Sequence, residues 1–96
     1  MTIRLIPAAK AEMVRIWTYY EAQRRGLGNE FLDDLGQTLR LVQEYPLSQP
    51  EFWKGTRRAL LKRFPYGFAY RVEKDEILVV VITHTSRATR VWRRRL

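Results

Sequence analysis

The sequence predicts an α+β fold: a two-helix hairpin packed on an antiparallel sheet, in the order strand, helix, helix, strand, strand, strand. Three observations predict it. Apolar residues recur at helical spacing in two segments, around 9–20 and 31–42, with only about three residues between the two helices. Three strand-like segments then fill 57–84, joined by short turn-forming stretches. The length, 96 residues, suits one domain (1–96) with a single core.

The first element, TIRLI at 2–6, alternates and is β-branched, and Pro7 closes it as a short strand. Pro7 suits the first turn of the helix that follows. In that helix Ala9, Met13, Ile16, Trp17 and Tyr20 form the buried stripe, the outer face is polar, and Tyr19 lies off the stripe. Gly26 can take the left-handed conformation that ends a helix. The second helix starts near GNE, with Asn29 or Gly28 as N-cap. Glu30, Asp33 and Asp34 sit in its first turns, where carboxylates suit the positive end of the dipole. Phe31, Leu32, Leu35, Leu39 and Val42 are its apolar stripe. The stretch 45–55 contains two prolines and a glycine and reads as a loop. Strands are expected at 57–64, 67–73 and 76–84, with a tight turn at Lys74 and Asp75. ILVVVI at 77–82 does not alternate, which predicts a central strand covered on both faces. The sheet face away from the helices is expected to be open and lined by basic side chains.

Composition narrows the chemistry. Hydrophobic residues make up 46% and charged residues 29%, which is globular composition. There is no cysteine and one histidine, so disulfides and thiolate catalysis are excluded and a structural zinc site lacks ligands. Neither a metal nor another cofactor is expected. The longest apolar run is far below the roughly 20 residues that span a bilayer, and the first residues show no signal-peptide pattern, so a cytoplasmic location is expected. The net charge of +8 is unevenly spread: residues 1–53 carry −1 and residues 54–96 carry +9. Such asymmetry points to a polyanionic partner, either nucleic acid or an acidic protein.

The candidate chemistry lies in the basic half. By alternation Arg71 belongs to the open face, where it would join basic residues of the 57–64 strand and His84 at the end of the central strand. Arginines around an imidazole suit metal-free phosphodiester cleavage, in which guanidinium groups stabilise charge on phosphorus and the imidazole moves a proton. Alternatively His84 caps its strand or packs against Trp92. Trp53 and Trp92 lie outside the expected elements and beside basic residues; they either stack on bases or pack over an edge of the core. Ser48 and Ser86 have no context for a nucleophile, and the glycines follow no phosphate-loop spacing.

YYEAQRRGLGNEFLDDL, RRALLKRFPYGFAYRV and HTSRATRVWRRR, taken in order, resemble the RelE/ParE superfamily of bacterial type II toxin–antitoxin toxins. The resemblance rests on Tyr19 and Tyr20, on GLG followed by Phe31, on RFPY at 63–66 and on the spacing of His84, Arg87 and Trp92. The chain departs from it at Thr89, where many relatives carry proline. The resemblance implies a growth-arresting toxin, a cognate antitoxin that is acidic or amphipathic, and a target that is either ribosome-bound mRNA or DNA gyrase. The basic residues favour ribosome-dependent mRNA cleavage, with Arg58, Lys62, Arg71, His84 and Arg87 around the scissile phosphate. Arg57, Arg63, Arg90, Arg93, Arg94 and Arg95 would then hold nucleic acid, the last three as a solvated basic tail. The alternatives are a ParE-like gyrase inhibitor without nuclease activity, or a relic that binds its antitoxin only.

Overall fold

The alternating stretch Thr2–Leu5 forms strand β1, and Pro7 opens helix α1 (Pro7–Gln23), in a computed structural model that describes residues 1–95. Arg24, Arg25 and Gly26 link α1 to the antiparallel helix α2 (Leu27–Glu44). Gly26 takes the left-handed conformation (φ 89°), as its sequence position suggests, although it caps the start of α2 rather than the end of α1. Neither Gly28 nor Asn29 is the N-cap. Gly28 donates its amide to the Glu21 carboxylate (2.9 Å), and Asn29 accepts from the Trp17 indole (3.0 Å), so both bind the hairpin together.

Four further strands follow: β2 (Glu51–Trp53), β3 (Thr56–Leu60), β4 (Tyr66–Val72) and β5 (Glu76–His84). The sheet order is β1-β5-β4-β3-β2, antiparallel throughout except that β1 runs parallel to β5, with Leu5 opposite Val79. Two expectations change here. The segment 45–55 is not only a loop, because Glu51–Trp53 pairs with β3 as an edge strand. The expected strand 57–64 stops at Leu60. Beyond it the buried Asp34 carboxylate accepts from three successive amides, Lys62 (3.3 Å), Arg63 (2.9 Å) and Phe64 (2.9 Å). Those amides are thereby drawn toward α2 and out of any ladder.

The hairpin covers one face of the sheet. Phe31, Leu35, Ala59, Phe68, Tyr70, Ile77, Val79 and Ile82 form the centre of that core. At one end Tyr20, Phe31, Phe64 and Tyr66 cluster, with ring centroids 4.9–6.1 Å apart.

The opposite face is not left open. After β5 a single 3₁₀ turn (Thr85–Arg87) leads into helix α3 (Ala88–Arg95), which lays Ala88 and the 2% exposed Trp92 against Ala69, Val80 and Val81. The expected solvated tail is therefore a helix whose apolar side packs on the sheet, with Arg93 and Arg94 exposed and Arg95 bound. Its apolar residues, Ala88, Val91 and Trp92, share one side with arginines on the other, but three apolar residues in eight are too few to set the segment apart from a basic tail. With α1 on one side and α3 on the other, β5 is covered on both faces, which accounts for its unbroken apolar run. A shift of register at Ala69/Tyr70 leaves Val80 as a bulge, and both Val80 and Val81 join the α3 side.

Glu12 locks the helix in place. Only 8% exposed, it accepts from the Ile82 amide (3.0 Å) and pairs with Arg95 (2.8 Å), whose guanidinium also donates to the Val80 carbonyl (2.9 Å). Among the described residues no helix is long and apolar enough to cross a membrane.

Candidate functional site

His84 is the last residue of β5 and lies opposite Tyr66, the first of β4. Their rings meet edge to face, with centroids 5.2 Å apart. The chain turns sharply after His84, and the Nδ1 atom caps that turn: it accepts from the Ser86 amide (3.1 Å) and lies 2.8 Å from the Ser86 hydroxyl. An Nδ1 that accepts an amide leaves Nε2 as the ring's donor atom, so the turn sets which nitrogen faces the cleft as a donor. The same turn places Arg87.

Between this turn and α1 lies a cleft of about 650 Å³. Arg15 and Tyr19 line it from α1, Tyr66 from β4, and His84, Ser86 and Arg87 from the turn. Its one carboxylate, Glu12, is already matched by Arg95. Arg15 and Arg87 have no ion-pair partner among the described residues. Behind Tyr19, burial and then the neighbouring Tyr66 push the Tyr20 phenol up to about 12, so it stays a neutral hydroxyl at ordinary pH. The cleft thus has aromatic walls, a cationic rim and one imidazole donor. It suits an anionic or aromatic group.

The other candidate catalytic residues do not join His84 and Arg87. Arg58 lies over the paired Phe52 and Trp92 rings, 5.4 and 5.3 Å from their centroids, in a separate groove on the α3 side. Lys62 lines a third groove, beside Asp34, Gln37 and Tyr45 of the α2 face. Arg71 is five residues from Tyr66 along β4, roughly 17 Å away at strand rise, and faces Glu73 at 3.8 Å.

The nucleic-acid candidates divide as well. Arg57 is held by the carbonyls of Leu47 and Gln49 and by Glu51 at 3.6 Å, its side chain 17% exposed. Arg63 pairs with Glu30 (2.9 Å), which together with Arg24 holds that carboxyl below its ordinary range. Arg95 is bound to Glu12. Arg90, Arg93 and Arg94 are exposed on α3. Trp53 is 53% exposed, whereas Trp92 is core.

Sequence reasoning overlooked Glu12, Arg15 and Phe52. A signal existed for Glu12, which sits three residues after Ala9 and four before Ile16, inside the apolar stripe of α1. A carboxylate at that spacing must find a buried donor. Nothing comparable marks Phe52, whose role depends on an edge strand flanked by proline.

Among the described residues no group of three or more His, Cys, Asp or Glu side chains is placed to hold a metal ion. In comparisons with known proteins, no curated sequence matches the chain. A solved structure described as the chromosomal ParDE TA system from P. aeruginosa is similar in fold, with a TM-score of 0.76 at 20% identity over 88% of this chain and 95% of that one. Residues 3–89 match the family described as ParE toxin of type II toxin-antitoxin system, parDE. With nearly the whole length matched, this chain belongs to the ParE toxin family.

Proposed function

We propose that this protein arrests growth by acting on DNA gyrase, and that a cognate antitoxin binds and silences it. The observation that carries this reading is the match to ParE toxins over residues 3–89. Ribosome-dependent mRNA cleavage, which the basic residues favour by type alone, has less support from the geometry. Metal-free cleavage needs guanidinium groups and a proton shuttle around one phosphorus atom. Here His84 and Arg87 share a cleft, Arg58 and Lys62 line two others, and Arg71 lines none of the three. The His84 Nδ1 is also occupied by the turn it caps. Inhibition by binding requires no such convergence, only a charged and aromatic surface on a rigid body.

The test is expression of the soluble chain with and without the antitoxin encoded beside it. Growth should stop without the antitoxin and resume with it, while purified gyrase and supercoiled DNA should accumulate cleaved DNA–gyrase complexes and translated mRNA should stay intact. Codon-phased mRNA cuts that vanish in His84→Ala or Arg87→Ala would transfer the protein to the cleavage reading. Normal growth at confirmed soluble expression would leave only an antitoxin-binding relic.

A further inference from the structure

Two grooves adjoin on the face covered by α3. One, about 280 Å³, is lined by Trp53, Arg58 and Trp92, among others; the second, about 570 Å³, by Arg90 and Arg94, among others. Thr89 and Arg93 line both, so the grooves form one continuous surface. No aspartate or glutamate lines either groove. Arg58, Arg90, Arg93 and Arg94 have no ion pair among the described residues, whereas Arg4, Arg24, Arg57, Arg63, Arg71 and Arg95 each have one. Arg15, Arg25, Arg40 and Arg87 also lack an ion pair among the described residues, but only on the α3 face do four such guanidinium groups line adjoining grooves free of carboxylates.

We infer that this face binds single-stranded nucleic acid, with Arg58, Arg90, Arg93 and Arg94 on successive phosphates and Trp53 stacked on an unpaired base. Charge complementarity selects a polyanion: four uncompensated guanidinium groups along one groove match a phosphate backbone better than scattered carboxylates. The exposed Trp53 indole selects a strand with free base faces over a closed duplex. Arg58 is already ordered. With its guanidinium over Phe52 and Trp92 and no hydrogen-bond acceptor among the described residues, it loses little side-chain freedom on meeting a phosphate.

The inference stands apart from the gyrase reading, because its test needs only the purified full chain and a fluorescent oligothymidylate. Anisotropy should show binding whose log K falls with log salt at a slope of about −2.8, four phosphates at about −0.7 each. Arg93→Gln and Arg94→Gln, both exposed and outside the core, should each make the slope shallower by about 0.7. Trp53→Ala should weaken binding roughly tenfold, the fold-change of one lost base stack, and abolish quenching of tryptophan fluorescence. Arg4→Gln, on the β1 edge of the sheet away from β2 and paired with Glu76, should change neither. Absence of binding, slopes unaltered in Arg93→Gln and Arg94→Gln, or tighter binding to duplex DNA of equal length would each overturn the assignment.

Discussion

Two buried carboxylates carry more of this structure than any of the twelve basic residues in its second half. Asp34, 4% exposed, ends β3 by accepting from the amides of Lys62, Arg63 and Phe64. Glu12 joins the Ile82 amide to Arg95 and so ties α3 to the sheet. An acceptor lost from such a place leaves a buried amide, and at Asp34 two part-buried ones as well, without partners, each fully buried amide costing about 1–3 kcal/mol when unsatisfied. Asp34→Ala should therefore lower the unfolding free energy by about 3 kcal/mol in urea titrations, two of its three contacts being short. A loss below about 0.5 kcal/mol would mean that water replaces the carboxylate at that turn. Residue type alone gives no hint of this hierarchy: among the arginines, Arg57 fastens the segment before β2 and Arg95 fastens α3, while Arg93 and Arg94 face solvent.

At the scale of elements, the helical hairpin shows how closely a local motif can be read. Periodicity predicts both helices and the three-residue link, and the GLG stretch serves it in two ways. Gly26 supplies the left-handed turn, while Gly28 lets α2 approach α1. A Cβ at position 28 would lie 2.8 Å from the Trp17 ring and from the Glu21 side chain. Gly28→Ala should therefore cost about 1–3 kcal/mol of stability, as overpacking does, and shift the near-ultraviolet signal of Trp17. An unchanged melting temperature would mean that the hairpin opens without penalty. Strand β5 is equally legible, since its nine residues and its end at His84 coincide with the expected 76–84. Two elements were hidden, and a third is shorter than expected. β2 is only three residues long and lies between proline and glycine, β3 is cut short by a carboxylate from a distant helix, and the apolar spacing of α3 is diluted by its arginines.

On the scale of the whole molecule, Tyr20 marks where the layers meet. Its ring is packed with Phe31 of α2, Phe64 of the β3–β4 connection and Tyr66 of β4. Burial there raises its phenol from 10.0 to about 12. A group whose pKa is higher folded than unfolded contributes stability fully present below the unfolded value, here 10.0, and lost as pH climbs toward about 12. Stability measured by denaturant should thus decline across that window, and Tyr20→Phe should flatten the decline. Tyr70, also raised by burial, accounts for what slope persists. An identical alkaline profile in Tyr20→Phe would place the sensitive group elsewhere.

Taken by itself, the sequence determined the α+β class, the helical hairpin, the covered strand β5, the basic second half and the resemblance to toxin families. Each is written in local spacing or in charge counts, which survive without coordinates. Only the tertiary structure decided which cations remain uncompensated. An arginine's role depends on whether a carboxylate or carbonyl lies within about 4 Å, and Glu12 with Arg95 are separated by 83 residues of chain. The expected single basic site around His84 accordingly separates into a tyrosine-walled cleft at the end of β5 and an arginine-lined face over α3. Folding brings unlike charges together at some of these positions and leaves others facing water.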